Sequence, residues 1–357
     1  MLNKIEKEDF EYILNDRNID WDNFKNKTIL ISGASGMLPA YMVKTLLYLN
    51  KTQNYNIKVI GIVRNLEYAK TRFKDFILDS NFELVAKDIS KEISFEGNID
   101  YIIHAASQAT PSYFFSDPVG TIAANTLGTF NLLNLAKNKH VHGFLYFSSG
   151  EVCGDIFNRK SLVKEDDYGI VDPLEVRNCY SESKRLGENL CSCFAYQHKI
   201  PTKIIRPAHT YGFGFKPTDG RAFASFITSI VEGKDIVLKS DGTAKRSFVY
   251  IADAIRAYFL VLLKGGVGEA YNVGNKSEIS ILELANLLVN LPENKNTKVF
   301  FDIQQDSPSA NSSHGQLDIS KINSLGWFPK ISEKEGFQRT VQAILNENER
   351  IIKCQSH

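Results

Sequence analysis

The run Thr28-Ile-Leu-Ile-Ser32 ends in the glycine turn Gly33-Ala-Ser35-Gly36 and passes directly into an apolar helical stretch through Leu46 and Leu47. A short apolar strand feeding a helix is the repeating unit of a parallel sheet, because parallel neighbours need a crossover that covers the sheet. The unit recurs. Further buried-strand candidates at Lys58 to Val63, Tyr101 to His104, Phe144 to Ser148 and Thr202 to Arg206 alternate with helical stretches. The expected architecture is therefore α/β: a doubly wound parallel sheet over residues 27–211, with a return segment at 236–273.

After Tyr211-Gly212 the alternation loosens into short helices (Arg221 to Glu232, Ile281 to Leu291), a strand near Ile236 to Leu238 and a polar stretch from Asp306 to His314. Residues 212–235 and 274–345 then form a smaller, interleaved α/β cap, with a tail at 346–357. Residues 1–26 are charged yet carry Phe10, Tyr12, Ile13, Leu14, Trp21 and Phe24, which predicts a helical extension that docks. Ligand belongs in the cleft between sheet and cap.

Whole-chain properties narrow the classes of function. The net charge of +1 across 357 residues offers no basic field for nucleic acid. No stretch reaches the ~18 uninterrupted apolar residues of a membrane span, and the N-terminus lacks an apolar signal core. Five cysteines are an odd number, and Cys191-Ser-Cys193 lacks the paired spacing of a zinc site. Free thiols in a reducing cytoplasm, and no metal, are the expectation.

Three separated segments fit one site. At the first turn, Gly33 permits the tight bend and Gly36 lets backbone N–H groups approach a pyrophosphate at the helix N-terminus, with Ser35, Met37 and Leu38 around it. Pro39 stands where a third glycine is usual and suits a first helical turn. The second segment, Ser148-Ser149-Gly150-Glu151, sets a hydroxyl beside a carboxylate. The third is Tyr180-Ser-Glu-Ser-Lys184, whose i and i+4 positions share a helix face, so that the ammonium favours the phenolate and Tyr180 can take a hydroxyl proton.

The cofactor is NAD or NADP. The second strand ends Ile62-Val63-Arg64-Asn65 with no acid for a ribose 2′-hydroxyl, and Arg64 could instead pair with a 2′-phosphate, which tilts the choice toward NADP. Asp88-Ile89 contacts adenine or caps a helix. His104-Ala105-Ala106 ends another strand with small residues that let backbone pass close to the nicotinamide, though His104 reads equally as a core histidine. Asn125 either bridges to Lys184 through water or bends its helix.

From about residue 27 to 345 the chain resembles the extended short-chain dehydrogenase/reductase family of nucleotide-sugar enzymes. The resemblance is carried by His104-Ala-Ala-Ser-Gln-Ala-Thr-Pro111, Asp117-Pro-Val-Gly-Thr-Ile, Asn125-Thr-Leu-Gly-Thr-Phe, Arg177-Asn-Cys179-Tyr180, Arg206-Pro-Ala-His-Thr-Tyr-Gly212, Asp219-Gly-Arg221, Gly242-Thr-Ala-Lys-Arg246 and Leu325-Gly-Trp327. It implies Tyr180 as base, Lys184 on the cofactor ribose, Ser149 on the sugar 4-oxygen and Glu151 in proton transfer. Arg221 and Arg246 would bind the nucleotide phosphates or ribose, with Arg177 and His209 also on the substrate side. A homodimer paired through the helices around 125–137 and 181–196 is implied as well. The chain departs from the pattern at Pro39, at Cys153 (usually tyrosine), at His209 (usually asparagine) and at Gly315-Gln316-Leu317-Asp318, which lacks a frequent arginine.

Gly150 discriminates among reactions that share transient oxidation at C4 with a retained cofactor. A 4,6-dehydratase places an acid there to protonate the leaving C6 hydroxyl, and Gly150 has no side chain. Decarboxylation of a uronic acid needs no such acid and gives Glu151 work at C5. Epimerisation at C4 needs only the tyrosine, lysine and hydroxyl, and follows closely. A non-catalytic dinucleotide sensor on the same fold would not need Tyr180 or Lys184.

Overall fold

The computed structural model describes residues 2–158, 162–216, 219–303 and 316–355. The central sheet contains β1 (Thr28–Ser32), β2 (Lys58–Val63), β3 (Phe82–Ala86), β4 (Tyr101–His104), β5 (Gly143–Phe147), β6 (Thr202–Pro207) and β7 (Glu269–Val273). Their spatial order is β7-β6-β5-β4-β1-β2-β3, and every pair is parallel. In β1, Ile29 and Ile31 face one fully buried cluster and Leu30 the other, as two-sided burial requires. The expected doubly wound sheet is present, and the strand order reverses direction between β1 and β4. That switch point places the cleft at the carboxyl ends of these strands.

The helices that matter for the site are α1 (Lys4–Leu14), α2 (Met37–Gln53), α3 (Pro118–Asn125), α4 (Leu127–Lys139), α5 (Cys179–His198), α6 (Ala222–Glu232), α7 (Ile251–Lys264), α8 (Ile281–Val289) and α9 (Glu333–Gln355). Beyond β6, the strand at Ile236–Leu238 pairs with Val299–Phe301, and Lys245–Arg246 pairs with Ile279–Ser280. Helix α8 starts at a capping box in which Ser280 and Glu283 satisfy each other's backbone N–H groups. Residues 346–355 continue α9. The polar stretch 306–314 lies outside the described residues.

Residues 4–24 form α1 and a 3₁₀ turn at Trp21–Phe24. Phe10, Ile13 and Phe24 are fully buried in the same cluster as β1, and Phe10 packs on Tyr41 and Tyr48 of α2 at 5.2 and 5.6 Å between ring centres. Among the described residues no helix is long and apolar enough to cross a membrane.

Candidate active site

One open cavity of about 1170 Å³ runs from the Gly33 turn to the beginning of α5. Its floor is backbone. Gly33 adopts φ +66°, and a Cβ there would stand 2.6 Å from the Cα of Ala106, so only glycine lets the β1 turn and the chain after β4 approach this closely. Gly36 caps α2, and no side chain occupies the first N–H groups of that helix. Pro39 sits in the first turn of α2, where its missing N–H is not needed. An uncapped helix N-terminus opening on a cavity, with small residues opposite, fits a dinucleotide pyrophosphate. Ser35, Met37, Leu38, Ala105 and Ala106 line this end, as do Arg64, Asp88 and Ile89.

The reacting end is built from β5 and α5. Helix α5 begins at Cys179, directly after the turn carrying Arg177, so Tyr180 and Lys184 occupy its first turns and point into the cavity with Ser149 and Glu151. Lys184 Nζ donates to the Phe147 carbonyl at 2.6 Å and is almost fully buried. Burial lowers its pKa to about 7, with Glu188 and Cys191 acting in the opposite direction. Tyr180 is also buried, and burial raises its phenol well above the ordinary value; Glu151 adds to that, while Ser149, Arg221 and Arg177 oppose it. Burial thus works against ionisation of the phenol, opposite to the pull expected of a neighbouring ammonium, and desolvation penalises the charged form of both groups.

Several assigned side chains do not line the cavity. His104 is fully enclosed, its ring nitrogens bracketed by Ser32 Oγ at 2.8 Å and Thr129 Oγ1 at 2.9 Å. Burial, with Lys184 adding to it, holds its pKa down at about 3, so it is a neutral core histidine whose strand delivers Ala105 and Ala106. Asn125 lies behind Lys184, where its Nδ2 donates to Ser183 Oγ at 3.0 Å. Its Oδ1 is buried with no partner among the described residues, and α3 ends at this residue, so the helix does break there. Arg246 also stands off the cavity lining, turned to the Lys245 carbonyl at 2.7 Å.

Arg177, His209 and Arg221 do line the cavity. Arg221 closes on Asp219 in a two-pronged contact (Nε to Oδ1 2.9 Å, Nη2 to Oδ2 2.5 Å) and lies over the Phe223 ring. Arg177 Nη1 donates to Glu151 Oε2 at 2.6 Å. Asp88 accepts from Ser90, N at 2.9 Å and Oγ at 2.8 Å, and so holds its own turn as well.

Two supports escaped sequence reasoning. Phe114 stacks on Tyr180, with ring centres 4.7 Å apart and planes 16° from parallel, and fixes the phenol's plane. Glu188, one helical turn beyond Lys184, accepts from Ser148 Oγ at 2.5 Å and pairs with buried Arg206 at 2.7 Å. The i+4 step from Lys184 to Glu188 was a legible signal; the contact with Phe114, far away in sequence, was not.

This site on this sheet defines a class, and residues 29–274 match the family model described as the NAD dependent epimerase/dehydratase family. The chain belongs to that family and is an enzyme of its type, using a nicotinamide dinucleotide. It is 32% identical to UDP-glucuronic acid decarboxylase 3 of Arabidopsis thaliana, over 87% of each chain. The solved UDP-glucuronic acid 4-epimerase of Bacillus cereus in complex with NAD is 26% identical and superposes with a TM-score of 0.72 over 90% of this chain and 99% of that one. An epimerase of Methanothermobacter thermautotrophicus, 21% identical, shares the fold with a TM-score of 0.79 over 99% of both.

Proposed function

We propose that this enzyme decarboxylates a UDP-linked uronic acid through transient oxidation at C4. The observation that carries the proposal is the wall at Gly150. No side chain stands there to act as the acid that dehydration at C6 requires, and an added Cβ would press on the Leu317 side chain at 3.3 Å, so the position is built around glycine. Glu151 lines the same cavity as Tyr180 and Ser149, where a C5 carbanion would need a proton.

Tyr180 accepts the C4 hydroxyl proton while Ser149 holds the 4-oxygen, and Lys184 steadies the ribose and the developing phenolate. Gly33, Gly36 and Ala106 would hold a nicotinamide dinucleotide, which would supply the hydride acceptor. Once C4 is a ketone, the C6 carboxylate is β to it, so carbon dioxide can leave with the C5–C6 electron pair held as an enolate. Glu151 then serves proton return at C5, after which C4 takes back its hydride and Tyr180 returns its proton to the 4-oxygen, so the pentose leaves with no net oxidation. Residues 27–211 with 236–273 take the dinucleotide in this scheme, and 212–235 with 274–345 take the nucleotide sugar, with Arg221 at the cavity wall.

Arg64 alone argues for NADP. The family model that the chain matches is that of an NAD dependent family, and the Bacillus cereus neighbour was solved in complex with NAD, which supports NAD instead. Exposed Val119, Ile122, Leu127, Phe130 and Leu186 on α3, α4 and α5 form an apolar face suited to a second copy of the chain.

Incubation with NAD and UDP-glucuronate, followed by mass spectrometry, tests the reaction. Loss of carbon dioxide to a UDP-pentose is expected. An isomer of unchanged mass would overturn decarboxylation in favour of 4-epimerisation, the reaction named for the Bacillus cereus neighbour.

A further inference from the structure

We infer that Arg177 selects a carboxylate at C6 of the sugar by exchanging its present partner, Glu151, for that carboxylate. The inference rests on the decarboxylase reading above. In the ligand-free protein the Arg177–Glu151 contact is 2.6 Å, and Ser181 Oγ donates to the same carboxylate oxygen at 3.4 Å. Both side chains line the cavity and are only 34% and 23% exposed, so the pair faces the space that the reacting end of a sugar enters. The guanidinium lies over the Phe114 ring at 5.5 Å, and that ring is stacked on Tyr180. A positive charge is thereby held one ring away from the base that receives the C4 proton.

Among the described residues, other cations along the cavity are turned or placed elsewhere, Lys216 lying over the Tyr68 ring. Arg221 is closed on Asp219, Lys184 is turned to the Phe147 carbonyl, and Arg64 and Lys87 follow β2 and β3 on the dinucleotide side. A carboxylate entering beside Glu151 meets like charge unless it takes Arg177, and the guanidinium fork suits either oxyanion.

The exchange ties proton return to loss of carbon dioxide. While the sugar carboxylate occupies Arg177, Glu151 has lost its cation and can carry a proton taken from water. Cleavage of C5–C6 leaves the electron pair in the enolate, releases neutral carbon dioxide and so vacates Arg177. Glu151 then passes its proton to C5 and, as a carboxylate, re-forms its pair with Arg177.

Binding calorimetry on the full chain with NAD tests this, in a Tyr180→Phe background that prevents turnover. UDP-glucuronate, UDP-glucose and UDP are the ligands. Arg177→Gln is expected to weaken UDP-glucuronate by ~10- to 100-fold relative to UDP-glucose, with UDP unchanged. Glu151→Gln, which removes the competing carboxylate, is expected to tighten UDP-glucuronate alone. Equal weakening of all three ligands in Arg177→Gln, or a preference left intact, overturns the inference even if the wild type makes a UDP-pentose. No decarboxylation by the wild type overturns the reading beneath it instead.

Discussion

Tyr180 and Lys184 meet the chemistry from opposite sides of neutrality. The buried phenol is hard to ionise and the buried amine easily loses its proton, so the ligand-free site is closer to neutral than its residue types suggest. Tyr180→Phe keeps the stacking on Phe114 but removes the proton acceptor; turnover of UDP-glucuronate should fall by at least ~10²-fold while UDP binding persists, as kinetics and calorimetry would show. Glu151→Gln should still allow C4 oxidation, so a keto sugar should accumulate in the product spectrum. Gly33→Ala tests the cofactor floor. Its φ of +66° and the 2.6 Å approach to Ala106 leave no place for a methyl group. Thermal unfolding should show a loss of roughly 2 kcal/mol, and NAD binding should weaken with it.

At the scale of elements, the N-terminal extension is tied in by one carboxylate. Asp9 of α1 accepts from Tyr41 of α2 and from Tyr250 at 2.6 Å each, and pairs with Arg339 of α9 at 2.7 Å. Burial raises its pKa from 3.8 to about 6, against the pull of Arg339 and the two phenols. Between those two values the folded protein binds the proton more tightly than the unfolded chain. The contribution of Asp9 to stability therefore declines as pH rises through that window and is level above it. In Asp9→Asn this slope should vanish: unfolding free energies from denaturant titrations at several pH values should show the wild-type advantage shrinking from pH 3.8 to about 6. A second buried set, Arg256 with Asp16 and Asp253, anchors the segment after α1 to α7. Such pairs lock geometry more than they add stability.

For the molecule as a whole, α5 has two duties. It carries Tyr180 and Lys184 on its buried side and exposes Leu186, while α3 and α4 expose Ile122 and Phe130. If that face pairs two chains, Ile122→Arg with Phe130→Glu should convert a dimer into a 40.2 kDa monomer in sedimentation. Turnover should drop too, since α5 carries Tyr180 and Lys184 and would lose the support of its exposed side. A mass unchanged from wild type would place the interface elsewhere.

Local order in the chain was enough for the sheet, the glycine turn, the Tyr180/Lys184 pair and the docking of residues such as Phe10 and Phe24. Those features depend on side-chain period and on residues a few positions apart. Sequence could not assign His104, because strand ends point alternately into core and cavity and only the packing of Ser32 and Thr129 decided which. It could not show Phe114 stacked on Tyr180, Leu317 packed over Gly150, or Glu188 paired with Arg206. Each of these joins residues distant in the chain. The ionisation of Tyr180 and Lys184 was likewise decided by tertiary structure, because desolvation is a property of the surroundings and not of the residue.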